Sequence, residues 1–243
     1  MNNLIFEKTY DIRTYEVDKN GTLRVVTLFN IFQDMADRHA EALGLGLSFC
    51  LEKGFAWVGS NYHIKINRLP KLHETIKIQT WLSEEKKFGA VRDFVVYDMN
   101  DDIIISAASL WVLINYERRR PILLKDNLPD YTVNPLKALE TDFTKLQEIS
   151  TPQSLAEFKI RFDDIDLNNH VNNAVYPLWA TESVDNDFHM EHTLEELEIE
   201  FKKEALYGET VEVLTAMDDQ TSHHSIKSKE DGRELSRVKL KWK

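Results

Sequence analysis

The chain has a single cysteine, Cys50, so no disulfide can form within it. It sits in the apolar stretch Leu47-Ser48-Phe49-Cys50-Leu51, where an inert buried thiol is the ordinary reading. A reducing cytoplasm suits such a chain. No run of residues approaches the roughly 18 consecutive apolar positions of a membrane span. Met1 to Thr9 shows no basic region leading into a long apolar segment, so a signal peptide is not expected there. Strand-like sequence follows so closely that no transit peptide is expected either. Positive charge is in deficit, with 30 Lys and Arg against 41 Asp and Glu and a net charge of −11. That balance argues against a general nucleic-acid binder, and an acidic partner would need a local basic patch. Arg118-Arg119-Arg120 and Lys202-Lys203 are the candidates, set against the usual role of charge runs as solvated surface.

The chain is otherwise that of a soluble globular protein. Its 243 residues, 42% hydrophobic and 29% charged, are enough for one large domain or two ordinary ones with a sizeable core.

The segment Asp166-Leu167-Asn168-Asn169-His170-Val171-Asn172-Asn173 gathers a carboxylate, carboxamides and an imidazole just ahead of the apolar stretch Ala174-Val175-Tyr176-Pro177-Leu178-Trp179. Side chains on an extended segment repeat every two residues, which would turn Asp166, Asn168 and His170 to one side and leave Leu167 and Val171 to pack. The competing reading is an Asx-rich turn that caps a helix.

The two halves of the chain share a pattern. Ile12-Arg13 followed by Asp18-Lys19-Asn20-Gly21-Thr22 parallels Ile160-Arg161 followed by Asp166-Leu167-Asn168-Asn169-His170. Leu72-His73-Glu74-Thr75-Ile76-Lys77-Ile78 parallels Tyr207-Gly208-Glu209-Thr210-Val211-Glu212-Val213, and an alternating strand precedes each, Tyr62–Ile66 and Leu197–Phe201. A repeat of this length indicates a duplicated domain. Each copy reads as a helix followed by strands. The first helix is expected from about Leu23 to Leu43, with Val25, Phe29, Phe32, Ala36 and Leu43 on one stripe, Leu28, Met35 and His39 beside it, and Gly44 and Gly46 as the stop. The second is expected from about Asn173 to Val184. Strands are expected over 75–81, 91–97, 104–114 and 233–242, with a turn at Asn100-Asp101-Asp102. Prolines at 121, 129, 135 and 152 mark the link between the copies. The expected layout is α+β, two units at 1–125 and 150–243 joined through 126–149, with two helices on one extended antiparallel sheet.

This layout and these words resemble the fatty acyl-ACP thioesterases, which are double hotdog proteins. The similar blocks are Trp57-Val58, Thr80-Trp81-Leu82, Val91-Arg92-Asp93-Phe94, Ala107–Asn115 with Arg118-Arg119-Arg120, the Asp166–Trp179 string, and Ile199-Glu200-Phe201-Lys202-Lys203-Glu204. They run in family order over nearly the whole chain. The resemblance implies a catalytic second unit, with the family's Asp, Asn, His and Glu falling on Asp166, Asn168, His170 and Glu204. It implies that the first unit holds the acyl chain, with Phe29, Phe32, Met35 and Trp57 as candidate contacts. Plant members often carry a cysteine after that Glu, but here the position is Ala205, so a cysteine nucleophile is excluded at it. The repeat places Thr22 opposite His170 and Leu69 opposite Glu204, so the first copy lacks both groups.

The activity implied is hydrolysis of fatty acyl-[acyl-carrier-protein] to free fatty acid, in a bacterial, cytoplasmic member. The helix after His170 is expected to offer backbone N–H groups to an oxyanion. No cofactor or metal is called for. The adjacent pair His223-His224 lacks a metal-site spacing and is expected in a surface turn. The partner expected is an acyl carrier protein, docked on Arg118, Arg119, Arg120, Lys202 and Lys203, with no nucleic acid and no stable membrane association, and with a homodimer left open. The alternatives are an acyl-CoA thioesterase of the same fold and a non-catalytic acyl-binding module. A polar cluster is costly to keep in a merely apolar tunnel, which argues against the module. A hotdog hydratase would set its His further from the Asn than the single residue that separates Asn168 from His170.

Overall fold

The structure, a computed structural model, describes residues 4–243. The first three residues of the Met1–Thr9 segment and of the expected first unit lie outside the described residues. The chain divides into two compact units, the first running to Phe143 and the second Thr144–Lys243.

Unit one contains β1 (Phe6–Asp11), α1 (Val25–Ala42), α2 (Leu47–Lys53), β2 (Phe55–Ile66), β3 (Thr75–Glu85), β4 (Gly89–Tyr97), β5 (Ile103–Asn115), β6 (Arg120–Pro121) and α3 (Leu124–Asn127). Its antiparallel sheet runs β1-β3-β4-β5-β2, with β6 paired to β5. Helix α1 forms because Leu28, Phe29, Ile31, Phe32, Met35, Ala36 and His39 recur three and four apart and are all buried. Their face meets the sheet, where Phe32 stacks on Phe94 at 4.4 Å and Phe29 leans on Tyr62 at 5.1 Å. The helix stops where Gly44 turns left-handed at φ 72°, with its N–H on Glu41 O and that of Leu45 on Ala40 O. It starts two residues later than expected, because Leu23 is held in a bridge to Val17 and donates its N–H to Pro70 O. Cys50 lies on α2 and is buried. Burial, with some help from the Glu41 charge, pushes its thiol up to about 11.

Past β6, residues 128–143 add no strand to the sheet, in keeping with prolines that remove ladder donors at 129 and 135. Single contacts strap them to unit one instead. Tyr131 and Val133 pack against the Leu82–Leu113–Leu124 cluster, Asn134 N–H donates to Leu82 O at 2.8 Å, the Trp81 indole to Leu136 O at 2.7 Å, and Ala138 N–H to the buried Asp93 Oδ1 at 2.7 Å.

Unit two contains β7 (Ser154–Lys159), α4 (Val175–Glu182), α5 (Asn186–Glu191), β8 (Leu194–Phe201), β9 (Thr210–Asp218), β10 (Thr221–Ser228) and β11 (Glu234–Trp242). Its antiparallel order is β8-β11-β10-β9-β7. Helix α4 buries Val175, Tyr176, Pro177, Trp179 and Ala180. Pro177 is tolerated because first-turn N–H groups have no partner within the helix. Each unit is thus a helix against an antiparallel sheet, the α+β hotdog arrangement. His223 and His224 lie in β10 and not in a surface turn. Their side chains diverge as strand neighbours must. His224 is buried among Ser183, Thr215 and Ser222, at 3.1, 3.0 and 2.8 Å. Burial, then the neighbouring His223, pushes its imidazole down to about 3, so it stays neutral.

On β11, Glu234 receives Lys202 Nζ at 2.7 Å, Arg237 Nε at 2.8 Å and the Ser225 hydroxyl at 2.8 Å. Burial alone would raise its carboxyl, but Arg237, Lys202 and Ser225 outweigh it and hold the group at about 2 against an ordinary 4.5. A depressed carboxylate contributes stability that is complete above 4.5 and is lost as pH falls through about 2. Glu234→Gln is therefore expected to cost about 1 kcal/mol near neutrality, in keeping with a partly exposed ion pair. It should also flatten the acid loss of stability in that window. Urea unfolding at stepped pH reads both, and superimposable stability–pH curves for wild type and variant would refute it.

Candidate active site

The segment 165–171 is a closed turn. Ile165 bridges Val171, Asp166 N–H donates to His170 O at 2.9 Å, and Asn169 N–H donates to Asp166 O at 3.1 Å. Asp166 Oδ1 accepts the Asn168 N–H at 2.8 Å, and Asn169 turns left-handed at φ 62°, a region asparagine tolerates better than most residues. The expected extended alternation is therefore corrected to an Asx turn. A short carboxylate captures the backbone N–H two residues on and closes the chain before a strand can form. Val171 packs as expected, but Leu167 stands at the tip of the turn, 95% exposed.

The turn still brings the key groups together. His170 Nδ1 lies 3.6 Å from Asp166 Oδ1, and His170 Nε2 lies 3.6 Å from Glu204 Oε1. Glu204 reaches this place because the chain leaves the sheet after β8. Lys202 and Lys203 both donate N–H groups to Leu235 O, and Val171 N–H donates to Ala205 O at 2.9 Å. The result is a row of carboxylate, imidazole and carboxylate. Its side chains are 24, 21 and 39% exposed, so the row is open to a ligand. At 3.6 Å these are ion-pair distances rather than hydrogen bonds, and such contacts commonly tighten when substrate is bound. Asn168 is exposed and its amide reaches Asp166 at 3.4 Å.

Unit one builds the same turn. Asp18 N–H donates to Thr22 O, Gly21 N–H to Asp18 O, and Asn20 N–H to Asp18 Oδ1, with Gly21 at φ 72°. Val17 bridges Leu23, whose N–H goes to Pro70 O as that of Val171 goes to Ala205 O. This match places Thr22 at the position of His170 and Leu69 at that of Glu204, as the repeat in the sequence implied.

The other candidates separate. Phe29, Phe32 and Met35 are fully buried in the core beneath α1. Trp57 donates its indole N–H to Leu45 O at 2.9 Å and packs on the Leu45–Cys50–Leu113 cluster. Arg118 and Arg120 line, with Asn115, Pro121 and Ile122, a surface cavity of about 480 Å³, and Arg119 between them is exposed at φ 52°. Lys203 is exposed, but Lys202 is mostly covered and committed to Glu234, which removes it as a ready docking cation. The amides at the start of α4 are also less available than expected: Ala174 and Val175 donate to Asn172, and Pro177 has no N–H.

Two residues that the sequence did not single out touch the Glu204 segment. The Tyr176 hydroxyl accepts the Ala205 N–H at 3.2 Å. Arg233 Nη2 donates to Glu204 O at 3.4 Å while pairing with Glu209 at 2.6 and 2.7 Å. Tyr176 was legible in principle. It stands five residues after Val171, where the first copy has Leu28 five residues after Leu23.

Residues 3–131 match the model of the acyl-ACP thioesterase N-terminal domain, and residues 147–243 match that of the C-terminal domain. The acyl-[acyl-carrier-protein] hydrolase FATB3, chloroplastic, of Cuphea viscosissima is 30% identical over 98% of this chain and 62% of its own length. This chain thus spans a little over three fifths of the length of that curated relative. A solved acyl-ACP thioesterase from Bacteroides thetaiotaomicron shares the fold at a TM-score of 0.90, with 24% identity over 99% of this chain and 98% of that one. The 12:0-ACP thioesterase from Umbellularia californica superposes with a TM-score of 0.86, at 25% identity over 100% of this chain and 98% of its own.

Proposed function

The chain belongs to the acyl-ACP thioesterase family, and from that premise we propose that it hydrolyses the thioester of fatty acyl-[acyl-carrier-protein], releasing free fatty acid and ending chain elongation. The observation that carries this reading is the Asp166–His170–Glu204 row of unit two, set against Thr22 and Leu69 at the same places in unit one. A duplicated turn that keeps its geometry in both copies and its ionisable pair in only one is what a single active site on a doubled fold requires.

In the reaction, Glu204 takes a proton from water as the water oxygen bonds to the thioester carbonyl. His170 polarises that carbonyl, and Asp166 holds the imidazole. The tetrahedral intermediate then expels the thiol, whose sulfur receives the proton, and the fatty acid departs. General acid–base steps of this kind each contribute about 10²–10⁴-fold. Unit one, with its large apolar helix face, is the part that takes the acyl chain and sets its preferred length. The cytoplasm is the compartment that fits the single, buried thiol.

An acidic carrier would need basic side chains on a protein of net charge −11, and the candidates are the exposed Arg118, Arg119 and Arg120 of unit one and, separately, the exposed Lys203 of unit two. Hydrolysis of acyl-ACPs and acyl-CoAs of graded chain length tests the reading. The expected result is higher kcat/KM on the carrier-bound chain, with an advantage that shrinks as salt rises, because exposed charges are screened beyond about 10 Å at 0.1 M. Arg119→Glu or Lys203→Glu should raise KM for acyl-ACP more than it lowers kcat. Equal efficiency on both carriers at every salt concentration would favour an acyl-CoA thioesterase of the same fold. Binding without turnover would favour an acyl-binding module.

A further inference from the structure

We propose that Tyr176 is a positioning residue of the hydrolysis, clamping the peptide that follows Glu204 so that the carboxylate faces His170. The inference rests on the reading of Glu204 as the base. Three bonds hold the short stretch that carries Glu204. Arg233 Nη2 donates to Glu204 O at 3.4 Å, Ala205 N–H donates to the Tyr176 hydroxyl at 3.2 Å, and Val171 N–H donates to Ala205 O at 2.9 Å. Both polar groups of the peptide between Glu204 and Ala205 are therefore engaged, and the next carbonyl is tied to the residue beside His170. Tyr176 is itself well fixed. It is 2% exposed, on α4, with its ring edge-on to Trp179 at 5.3 Å and to Phe201 at 5.5 Å.

Unit one separates what the turn needs from what the chemistry needs. It keeps the bond that ties the turn to the later segment, Leu23 N–H to Pro70 O at 2.8 Å. It has lost the clamp from both sides. The counterpart of Ala205 is Pro70, which has no N–H to donate, and the counterpart of Tyr176 is the buried Leu28, which has no hydroxyl. These losses accompany those of the imidazole, at Thr22, and of the carboxylate, at Leu69. A bond that only stabilised the fold would have been as useful in the copy without chemistry. Donor and acceptor are instead present where Glu204 is present and absent where it is absent. Of the three bonds on the Glu204 stretch, the one that unit one keeps, through the Pro70 or Ala205 carbonyl, is the one that ties down the turn.

The test is a double-mutant cycle between Tyr176→Phe and Glu204→Gln on acyl-ACP, with melting temperature measured for every variant. Phenylalanine keeps the ring packing and removes only the hydroxyl. Tyr176→Phe is expected to lower kcat about 10- to 100-fold with KM within about twofold, the scale set by misplacing a reacting group by about 1 Å. In the Glu204→Gln background the same change should leave the residual rate within about twofold, because Tyr176 acts only through the missing carboxylate. Ala205→Pro, which installs the unit-one residue, should reproduce the kcat loss from the donor side. If Tyr176→Phe alone stays within about threefold of wild type while Glu204→Gln is inactive, the clamp is refuted and the base survives. If it lowers the rate equally in both backgrounds, or raises KM and drops the melting temperature along with kcat, Tyr176 is structural and the proposal fails. If Glu204→Gln itself keeps its activity, the reading of the base fails first.

Discussion

Glu204→Gln is expected to lower kcat on acyl-ACP by about 10²–10⁴-fold, the usual contribution of a general base, while leaving the fold and acyl-ACP binding intact. Glutamine preserves the length and hydrogen-bonding shape of the side chain and removes its basicity. Glu204 is partly exposed, stands 3.6 Å from His170 Nε2, and occupies the place of Leu69 in the copy that lacks the imidazole. Little of its side chain is buried in the core, so the change should fall within the small stability range of surface substitutions, about ±0.5 kcal/mol. Steady-state kinetics and titration of non-hydrolysable acyl-ACP read the two parts separately. Activity within about tenfold of wild type, below what a general base supplies, would remove Glu204 from the mechanism and leave His170 as the sole base.

The parts of this architecture that the sequence exposes are those with strong periodicity or a repeated word. Helix α1 is legible because seven buried side chains share one face and Gly44 ends it, and the strands around Tyr62–Ile66 and Leu197–Phe201 because they alternate. The start of α4 and the short α2 are not. Helix α4 is eight residues long with Pro177 inside it, and its start is set by Asn172 bonding forward to Ala174, a local choice that hydrophobic spacing does not encode. The path of residues 126–143 is equally hidden, because it depends on single long-range bonds such as Ala138 to Asp93. At the site, the local geometry differs from the one that alternation suggests. Strand alternation was expected to align Asp166 and His170, whereas an Asx turn closes them onto each other. Both geometries put residues 166 and 170 on one side of the segment, so the sequence pattern does not tell them apart, but only the turn brings them within 3.6 Å. Tyr176 stands in an apolar run and so reads as core; the repeat marks it out by its hydroxyl, which Leu28 lacks, but the contact with Ala205 is visible only in the structure.

His170→Thr should abolish most hydrolysis, by about 10²–10⁴-fold, without loss of folding. Threonine is the residue that unit one places in the same turn, where the Thr22 hydroxyl donates to Asp18 Oδ2 at 3.0 Å and its N–H to Asp18 Oδ1 at 3.0 Å. The substitution therefore swaps an imidazole for a group already known to this turn, and its melting temperature should match that of wild type within a few degrees. Asp166 and Asn168 stand differently, because Asp18 and Asn20 are retained in the copy that lacks the imidazole and form the same Asx turn. Asp166→Ala should thus lower stability and kcat together, by releasing the Asn168 N–H from its acceptor, whereas His170→Thr should lower kcat alone. Groups that act as a unit lose activity non-additively, so adding Glu204→Gln to His170→Thr should cost much less than the product of the two single losses. Circular dichroism, thermal melts and single-turnover hydrolysis of acyl-ACP distinguish these cases. A His170→Thr enzyme that turns over within about tenfold of wild type would show that the imidazole neither polarises the thioester nor carries its proton, and Glu204 would have to act with Asp166 alone.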